Sequence, residues 1–453
     1  MKHRISGTGV LAVLVLLCSA LTAGAQEKKS LTLNEAVELG VRNSKQLKGS
    51  QARIEEATAA LKEAVERKLP DASASASYMR LNSPNVDVKL KTGNSSSGSS
   101  GGSGGSSSDD AARISQLAYG MVNASLPLYA GGRIRYGIES AKYLEQAARL
   151  DAGSDREEII LNTIDAYNNL YKAKAAVALV KENLAQARQR VKDFASLEKN
   201  GLLARNDYLK AELQASNTEL ALLDAENNWK LANVNMDLML GLPDGTEIVP
   251  DSASLQSAAT VKTLEEYQQL GLQNRKDLSA VALRKKAAHT GIKAAEGEKY
   301  PSIALTGGYV ALDVPHGLVV TNALNLGVGV QYSISALWKN AAKVQQARAR
   351  EKQVEAGEEL LTDAIRLQVN QAYQHYLLSR KKIEVHATAV AHAAENYKIV
   401  RNKHENGLAT VTDLLDADVA QLQAKLNQAF AASDATVAYQ KLLQAAGLID
   451  NKQ

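Results

Sequence analysis

Two stretches of the chain say nearly the same thing: NGLLARNDYLKAEL begins at Asn200 and NGLATVTDLLDADV begins at Asn406. Each has a Gly-Leu pair, then an Asp six residues after the Gly that opens a long apolar-patterned run, and the two are 206 residues apart. The duplication extends further. LNEAVELGVRNSKQLKGS from Leu33 aligns without gaps on LEEYQQLGLQNRKDLSAV from Leu264, pairing Leu39 with Leu270, Gly40 with Gly271 and Asn43 with Asn274 at an offset of 231. That offset still holds for Pro70 with Pro301 and Tyr78 with Tyr309, and it has become 206 at the Gly201/Gly407 turns and at Gly241-Leu242 with Gly447-Leu448. The first copy therefore carries 25 extra residues, and the Gly/Ser segment at 94–108, which has no means of forming a core, is where they belong. One unit built twice restricts the fold to architectures with internal symmetry.

Each copy mixes two periodicities. The seven prolines leave Leu128–Leu242 and His316–Gln453 free of proline, and both runs are rich in good helix formers. Leu170, Val177, Leu184 and Val191 recur every seven residues, interleaved with Ala173, Val180, Ala187 and Phe194, the pattern of an a/d seam. Adding 206 gives Tyr376, Ile383, Val390 and Tyr397, so the second copy is expected to bury the same seam. The span from Gly131 to Gly201 as one helix is on the order of 100 Å. Between the helical runs, ALNLGVGVQYSI alternates with period two, placing Leu324, Leu326, Val328, Val330, Tyr332 and Ile334 on one face and Asn325, Gly327, Gly329, Gln331 and Ser333 on the other. With SIALTGGYVAL (Ser302–Leu312) it reads as a hairpin. DASASASYMRL and QLAYGMVNASL are the equivalents in the first copy, with a weaker alternation. An apolar outer face over an Asn, Gly and Gln inner face fits a lipid-facing barrel with a watery lumen, and equally a small sheet packed on a soluble core. If it is a barrel, four strands cannot close it, and an open edge is not tolerated in lipid. Two chains then supply eight strands and three supply twelve.

The N-terminus reads as a cleaved secretory signal: basic Lys2 and Arg4, an apolar run from Val10 to Leu17, and small residues before Gln26. The expected organisation is a signal peptide at 1–25, a first repeat at 26–242, a connecting segment at 243–262, a second repeat at 263–448 and a tail at 449–453. Leu17 is a poor residue before a lipidated cysteine, so Cys18, the one cysteine, is expected to leave with the signal. The chain's formal charge of +4 falls to +2 when Lys2 and Arg4 are removed, too balanced to make nucleic acid the main partner. No run of eighteen apolar residues follows the signal, so no spanning helix is expected.

In order and duplication these features resemble the TolC family of outer-membrane efflux proteins over about Leu31–Leu448. LTLNEAVELGVRNS, LPLYAGGRIRYGIESA and NGLATVTDLLDADVAQLQAKLNQA carry the resemblance. It implies a mainly α fold with a membrane β-barrel, in which internally duplicated long helical hairpins and two β-hairpins per chain assemble as a homotrimer. Twelve strands would form one barrel in the outer membrane of a Gram-negative bacterium, and the helices a cylinder across the periplasm. The implied function is the exit duct of a tripartite efflux pump or type I secretion system, passive and without cofactor, whose partners are a periplasmic adaptor, an inner-membrane transporter and outer-membrane lipid. The competing class is a secreted or periplasmic coiled-coil structural or adhesive protein. It would need the heptads but neither the alternating hairpins nor the matching turns. An adaptor, the third possibility, usually interrupts its hairpin with lipoyl-like β segments, and none is visible here.

Catalytic patterns are absent. There is no HExxH, GxSxG or GxxxxGK[ST] motif, and the six histidines after the signal are not at ligand spacing, His386 and His392 being six apart. No catalytic, cofactor-binding or metal residue is therefore assigned. Gly201 and Gly407 suit the left-handed residue that ends a helix. By resemblance the turns holding Gly201, Leu202, Gly407 and Leu408 meet the adaptor, and Asp413 and Asp416 match the acids that line the periplasmic entrance. Thr410 with Asp413 also has capping-box spacing. The family's best-known members carry an Arg where this chain has Ala409, and Arg205 with Asp207 on the neighbouring turn are the candidate substitute tether. Leu324, Leu326, Val328, Val330 and Tyr332 are expected to face lipid, and Tyr78, Tyr129, Tyr309, Tyr332 and Trp338 to form an aromatic girdle.

Overall fold

The computed structural model describes residues 28–82, 116–243, 245–251, 261–315 and 319–449. The signal segment, the Gly/Ser segment at 94–108, His316 and the last four residues lie outside them. The order is β1 (Lys28–Leu31), α1 (Leu33–Asn43), α2 (Lys45–Glu66), β2 (Asp71–Arg80), β3 (Gln116–Ala130), α3 (Arg133–Lys199) and α4 (Arg205–Leu240). Then come β4 (Glu247–Pro250), α5 (Leu264–Asn274), α6 (Lys276–Gly297), β5 (Ser302–Asp313), β6 (Val319–Gln331), α7 (Ala336–Glu405) and α8 (Val411–Ala445). Matched elements agree in length: 11 residues for α1 and α5, 22 for α2 and α6, 67 and 70 for α3 and α7, 36 and 35 for α4 and α8. The chain folds into two compact units, and each draws residues from both copies: one comprises 1–54, 148–280 and 357–453, the other 55–147 and 281–356.

The first unit holds the starts of the copies and the helical turns. Thr32 with Glu35 and Thr263 with Glu266 form capping boxes that start α1 and α5 at the same offset of 231. Gly40 lets α1 approach α3 closely, since a β-carbon there would sit 2.7 Å from Thr163 Oγ1, and Gly271 lies the same way against Ile365 and Val369. Two apolar clusters result. One gathers Leu33, Ile160, Tyr167, Leu170, Met236 and Leu240, the other Tyr267, Ile365, Val369, Tyr376 and Leu442. β1 and β4 pair in parallel, and the Tyr167 hydroxyl ties them together, donating to the Leu31 carbonyl at 2.8 Å and accepting from the Asp251 amide at 2.8 Å.

The two seams differ. In α3, Leu170, Val180, Leu184, Ala187 and Phe194 are buried, as expected from the heptads. In α7, Tyr376 is buried but Ile383 is 37% exposed and neighbouring Val385 54%, so the second seam is open in its middle. The reason lies in where α8 packs. It returns along α3, where Asn168 and Lys172 reach Asp434 and Arg190 reaches Asp418, and Ile383 and Val385 of α7 are left exposed.

The second unit holds a four-stranded antiparallel sheet of order β2-β3-β5-β6, which leaves β2 and β6 as edges. Ala72, Ala74 and Ala76 share a face with Val122, Leu126, Leu305, Leu326 and Val328, while Ser73, Ser75, Asn123, Thr306 and Asn325 share the other. In β2 the weak alternation is thus a true one, hidden because Ala and Ser differ little in hydropathy, whereas β3 sets Leu117, Tyr119 and Met121 on the same face as Asn123. A bulge between Pro127 and Tyr129 returns Tyr129 to the apolar face opposite Ile303, at a residue whose missing N–H the ladder does not need. The ladder of β6 ends where Gln331 meets Ser302, the first residue of β5, so Tyr332 and Ile334 lie beyond the strand rather than in it.

Candidate gating and docking site at the helical turns

Both quoted turns end their helices identically. Gly201 and Gly407 have φ of +72°, and the amides of Leu202 and Leu408 reach back to the carbonyls of Leu197 and Lys403 at 2.9 and 2.8 Å. This is the six-to-one closure that a left-handed glycine permits. It leaves Leu202 and Leu408 pointing outward, 74% and 78% exposed.

The helix starts that follow are not equivalent. Thr410 caps α8, its hydroxyl accepting from the Asp413 amide at 3.1 Å while the Asp413 carboxylate accepts from the Thr410 amide at 2.9 Å and from its hydroxyl at 2.7 Å. The hydroxyl bond, with the amide bond behind it, holds the Asp413 carboxyl below its ordinary range. At the matching place α4 begins at Ala204, which has no side-chain cap. Asp207 pairs instead with Lys210 at 3.1 Å, and the same ammonium reaches Thr412 of the other turn at 3.2 Å. Arg205 pairs at 3.3 Å with Glu198 across its own turn, so the candidate tether Arg205 does not reach the neighbouring hairpin. Lys210 does. Asp416 lies exposed one turn beyond Asp413 on the same side of α8.

Beneath these acids lies a buried network that sequence reasoning missed. Arg190 of α3 donates to Asp418 of α8 at 3.0 Å and to the Tyr397 hydroxyl of α7 at 3.2 Å, and Asn183 donates to Asp418 at 3.3 Å. The Arg190 and Asp418 side chains are 10% and 2% exposed. Burial opposes the charge on Arg190, yet hydrogen bonding and attraction from Asp418, with Tyr397, prevail and raise its pKa. The signal was present in the chain: Val411, Leu414, Leu415 and Asp418 occupy one i, i+3, i+4, i+7 stripe, so Asp418 sits where an apolar residue is expected. Below the network Phe194, Ala211, Val411 and Leu414 close a small core. Beside it a cleft of about 1300 Å³ is lined by Arg190, Tyr397, Arg401 and His404, whose ring packs 5.6 Å from that of Phe194.

In the sheet, Leu324 and Leu326 are each 82% exposed, Val328 64% and Val330 67%. Tyr78, Tyr129 and Trp338 are exposed too, whereas Tyr309 is half-buried and accepts from the Asn322 amide at 3.3 Å.

The family described as outer membrane efflux protein matches residues 38–242 and 268–448, the two repeats in turn. The chain is 25% identical over 325 residues to the outer membrane efflux protein BepC of Brucella suis biovar 1 (strain 1330), covering 71% of this chain and 70% of BepC. Its fold is similar to that of VceC of Vibrio cholerae, with TM-score 0.72 and 19% identity over 92% of this chain and 96% of the other. It is similar also to the CmeC channel of Campylobacter jejuni, with TM-score 0.74 and 18% identity over 92% and 86%. With the family matched across both repeats and the fold shared over nine-tenths of its length, the chain belongs to the outer membrane efflux protein family.

Proposed function

We propose that three copies of the chain form an exit duct across the outer membrane and periplasm, receiving cargo from a periplasmic adaptor and an inner-membrane transporter. The observation that carries this reading is the sheet. Among the described residues its two edge strands, β2 and β6, are unpaired, and one face is apolar and exposed, an arrangement that in lipid requires closure by further copies. Nine positions from Ile303 to Ala311 lie between the ends of the apolar band, the length that a tilted strand needs to cross a bilayer, roughly 9 to 11. The helices support the same assembly. Leu213, Leu220, Leu231 and Leu238 of α4 are all 60% exposed or more, and the open seam of α7 offers a complementary apolar stripe. In this reading Leu202 and Leu408 dock the adaptor, Asp413 and Asp416 line the entrance, and Leu324 to Val330 face lipid.

The mature protein is expected in the outer-membrane fraction as a detergent-requiring trimer that conducts ions in planar bilayers. A monodisperse monomer in detergent-free buffer would overturn the proposal. Replacing Leu408 with Asp should stop export while leaving the trimer in the membrane, and normal export from that variant removes the docking role.

A further inference from the structure

On the polar face of the sheet, charge occurs among the described strand residues only at Asp71, at the very start of β2. Toward β2's start the neighbouring positions carry hydroxyls and hydrogens (Ser125, Thr306, Gly327), and toward the other end of the strands the face turns apolar with Met121, Val310, Tyr119 and Leu312. One row across the strands stands out: Ser73, Asn123, Gly308 and Asn325 lie side by side on β2, β3, β5 and β6. A β-carbon at Gly308 would sit 2.9 Å from Oδ1 of Asn123, 2.9 Å from Oδ1 of Asn325 and 2.8 Å from the Val122 carbonyl. Both carboxamides therefore lean over the glycine from opposite sides, and only a hydrogen leaves them room. Asn123 is half-buried and Asn325 exposed, and among the described residues neither side chain has a hydrogen-bond partner. Two amide groups converge with donors and acceptors both unused, in a row that itself carries no charge, the one carboxylate of this face, Asp71, lying a level away on β2.

We infer that Asn123, Gly308 and Asn325 form a carboxamide girdle that takes the place of hydration water around uncharged hydrogen-bonding groups, hydroxyls above all, of solutes passing through the strand region. The inference rests on the duct reading, under which this face lines the lumen and three copies bring six carboxamides to one level. A neutral amide donates and accepts at once, so it matches a hydroxyl, which does the same. Because the girdle has no charge, it holds such groups without selecting ions. Gly308 is its positioning residue, since a methyl there pushes both amides off the row.

The test is single-channel recording on the full mature protein with raffinose added on the extracellular side, so that the trisaccharide meets the strands before the helical turns. Raffinose should interrupt the current, and polyethylene glycol of the same hydrated size, which lacks hydroxyls along its length, should do so far less. Asn123→Ala with Asn325→Ala should shorten the interruptions roughly tenfold, as loss of one or two solute hydrogen bonds predicts, with the potassium-to-chloride permeability ratio unchanged. Gly308→Ala and Asn325→Ser should shorten them in the same sense, which covers the case in which the double variant fails to assemble. Asn325→Asp reports the facing separately by raising cation selectivity. If that ratio moves but raffinose gives no interruptions beyond polyethylene glycol, or the alanine and serine variants leave them unchanged, the girdle is wrong and the duct stands. An unmoved ratio in Asn325→Asp overturns the face assignment and the girdle together.

Discussion

At the scale of single residues, the capping role of Asp413 and its proposed place at the entrance separate experimentally. Its carboxylate completes the Thr410 capping box, and the turn that holds it bears Asp416 one turn further along the same exposed face. Thr410→Ala should lower stability by about 1 kcal/mol, the usual value of an N-cap, as read by thermal unfolding in detergent at pH 7. The acid dependence follows from the lowered Asp413 pKa. The carboxylate's stabilising contribution is fully present above the ordinary 3.8 and is lost as pH falls through the lower folded value, so the difference between wild type and Asp413→Ala should be constant at neutral pH and narrow only below about pH 4. Replacing Asp413 and Asp416 together with Asn should reduce cation selectivity and divalent-cation block in bilayers. Unchanged selectivity with a lowered melting temperature would leave Asp413 as a cap alone.

At the scale of elements, the ends of α3, α7 and α8 are joined by a buried ion pair. Asp418→Ala leaves the largely buried Arg190 guanidinium without its carboxylate partner, and should cost about 3 to 5 kcal/mol. The double change Arg190→Met with Asp418→Leu removes both charges and should recover most of that loss, because such pairs are often no more stable than apolar residues of similar volume. Equal destabilisation in the two variants would mean that Asn183 and Tyr397 cannot be left unpaired either. The strands make a second prediction. Arg at Val328, on the exposed apolar face, should disfavour membrane insertion by roughly 2 to 4 kcal/mol if the residue lies near the midplane. Arg at Gly329, on the polar face, should be tolerated, and equal penalties at the two positions would reverse the assigned facing.

At the scale of the whole molecule, the repeats are alike in sequence but unlike in surroundings. α8 covers the seam of α3, while the middle of α7 and the leucine stripe of α4 stay open. An assembly that fits these stripes against one another accounts for both. Asp at Leu220 together with Asp at Leu231 should therefore dissociate the oligomer in detergent while leaving the chain helical by circular dichroism. An intact trimer from this variant would show that α4 faces solvent or lumen.

The sequence alone determined the duplication, the lengths of the long helices and their glycine-closed turns, because these rest on local rules: helix-forming composition, left-handed glycines and, at Thr410 with Asp413, the spacing of a capping box. It also determined the second hairpin, whose Leu and Val alternate with Asn, Gly and Gln, but showed the first only faintly, since alanine against serine is a small contrast. Tertiary structure decided which copy's seam is covered, because the heptads in α3 and α7 are the same and only the path of α8 distinguishes them. It decided that Lys210 rather than Arg205 reaches the other turn, because reach depends on the distance between helices and not on position in the chain. The partnership of Arg190, Asp418 and Tyr397 was likewise tertiary: a helix of the first copy meets two of the second more than 200 residues on, a pairing that no local pattern gives.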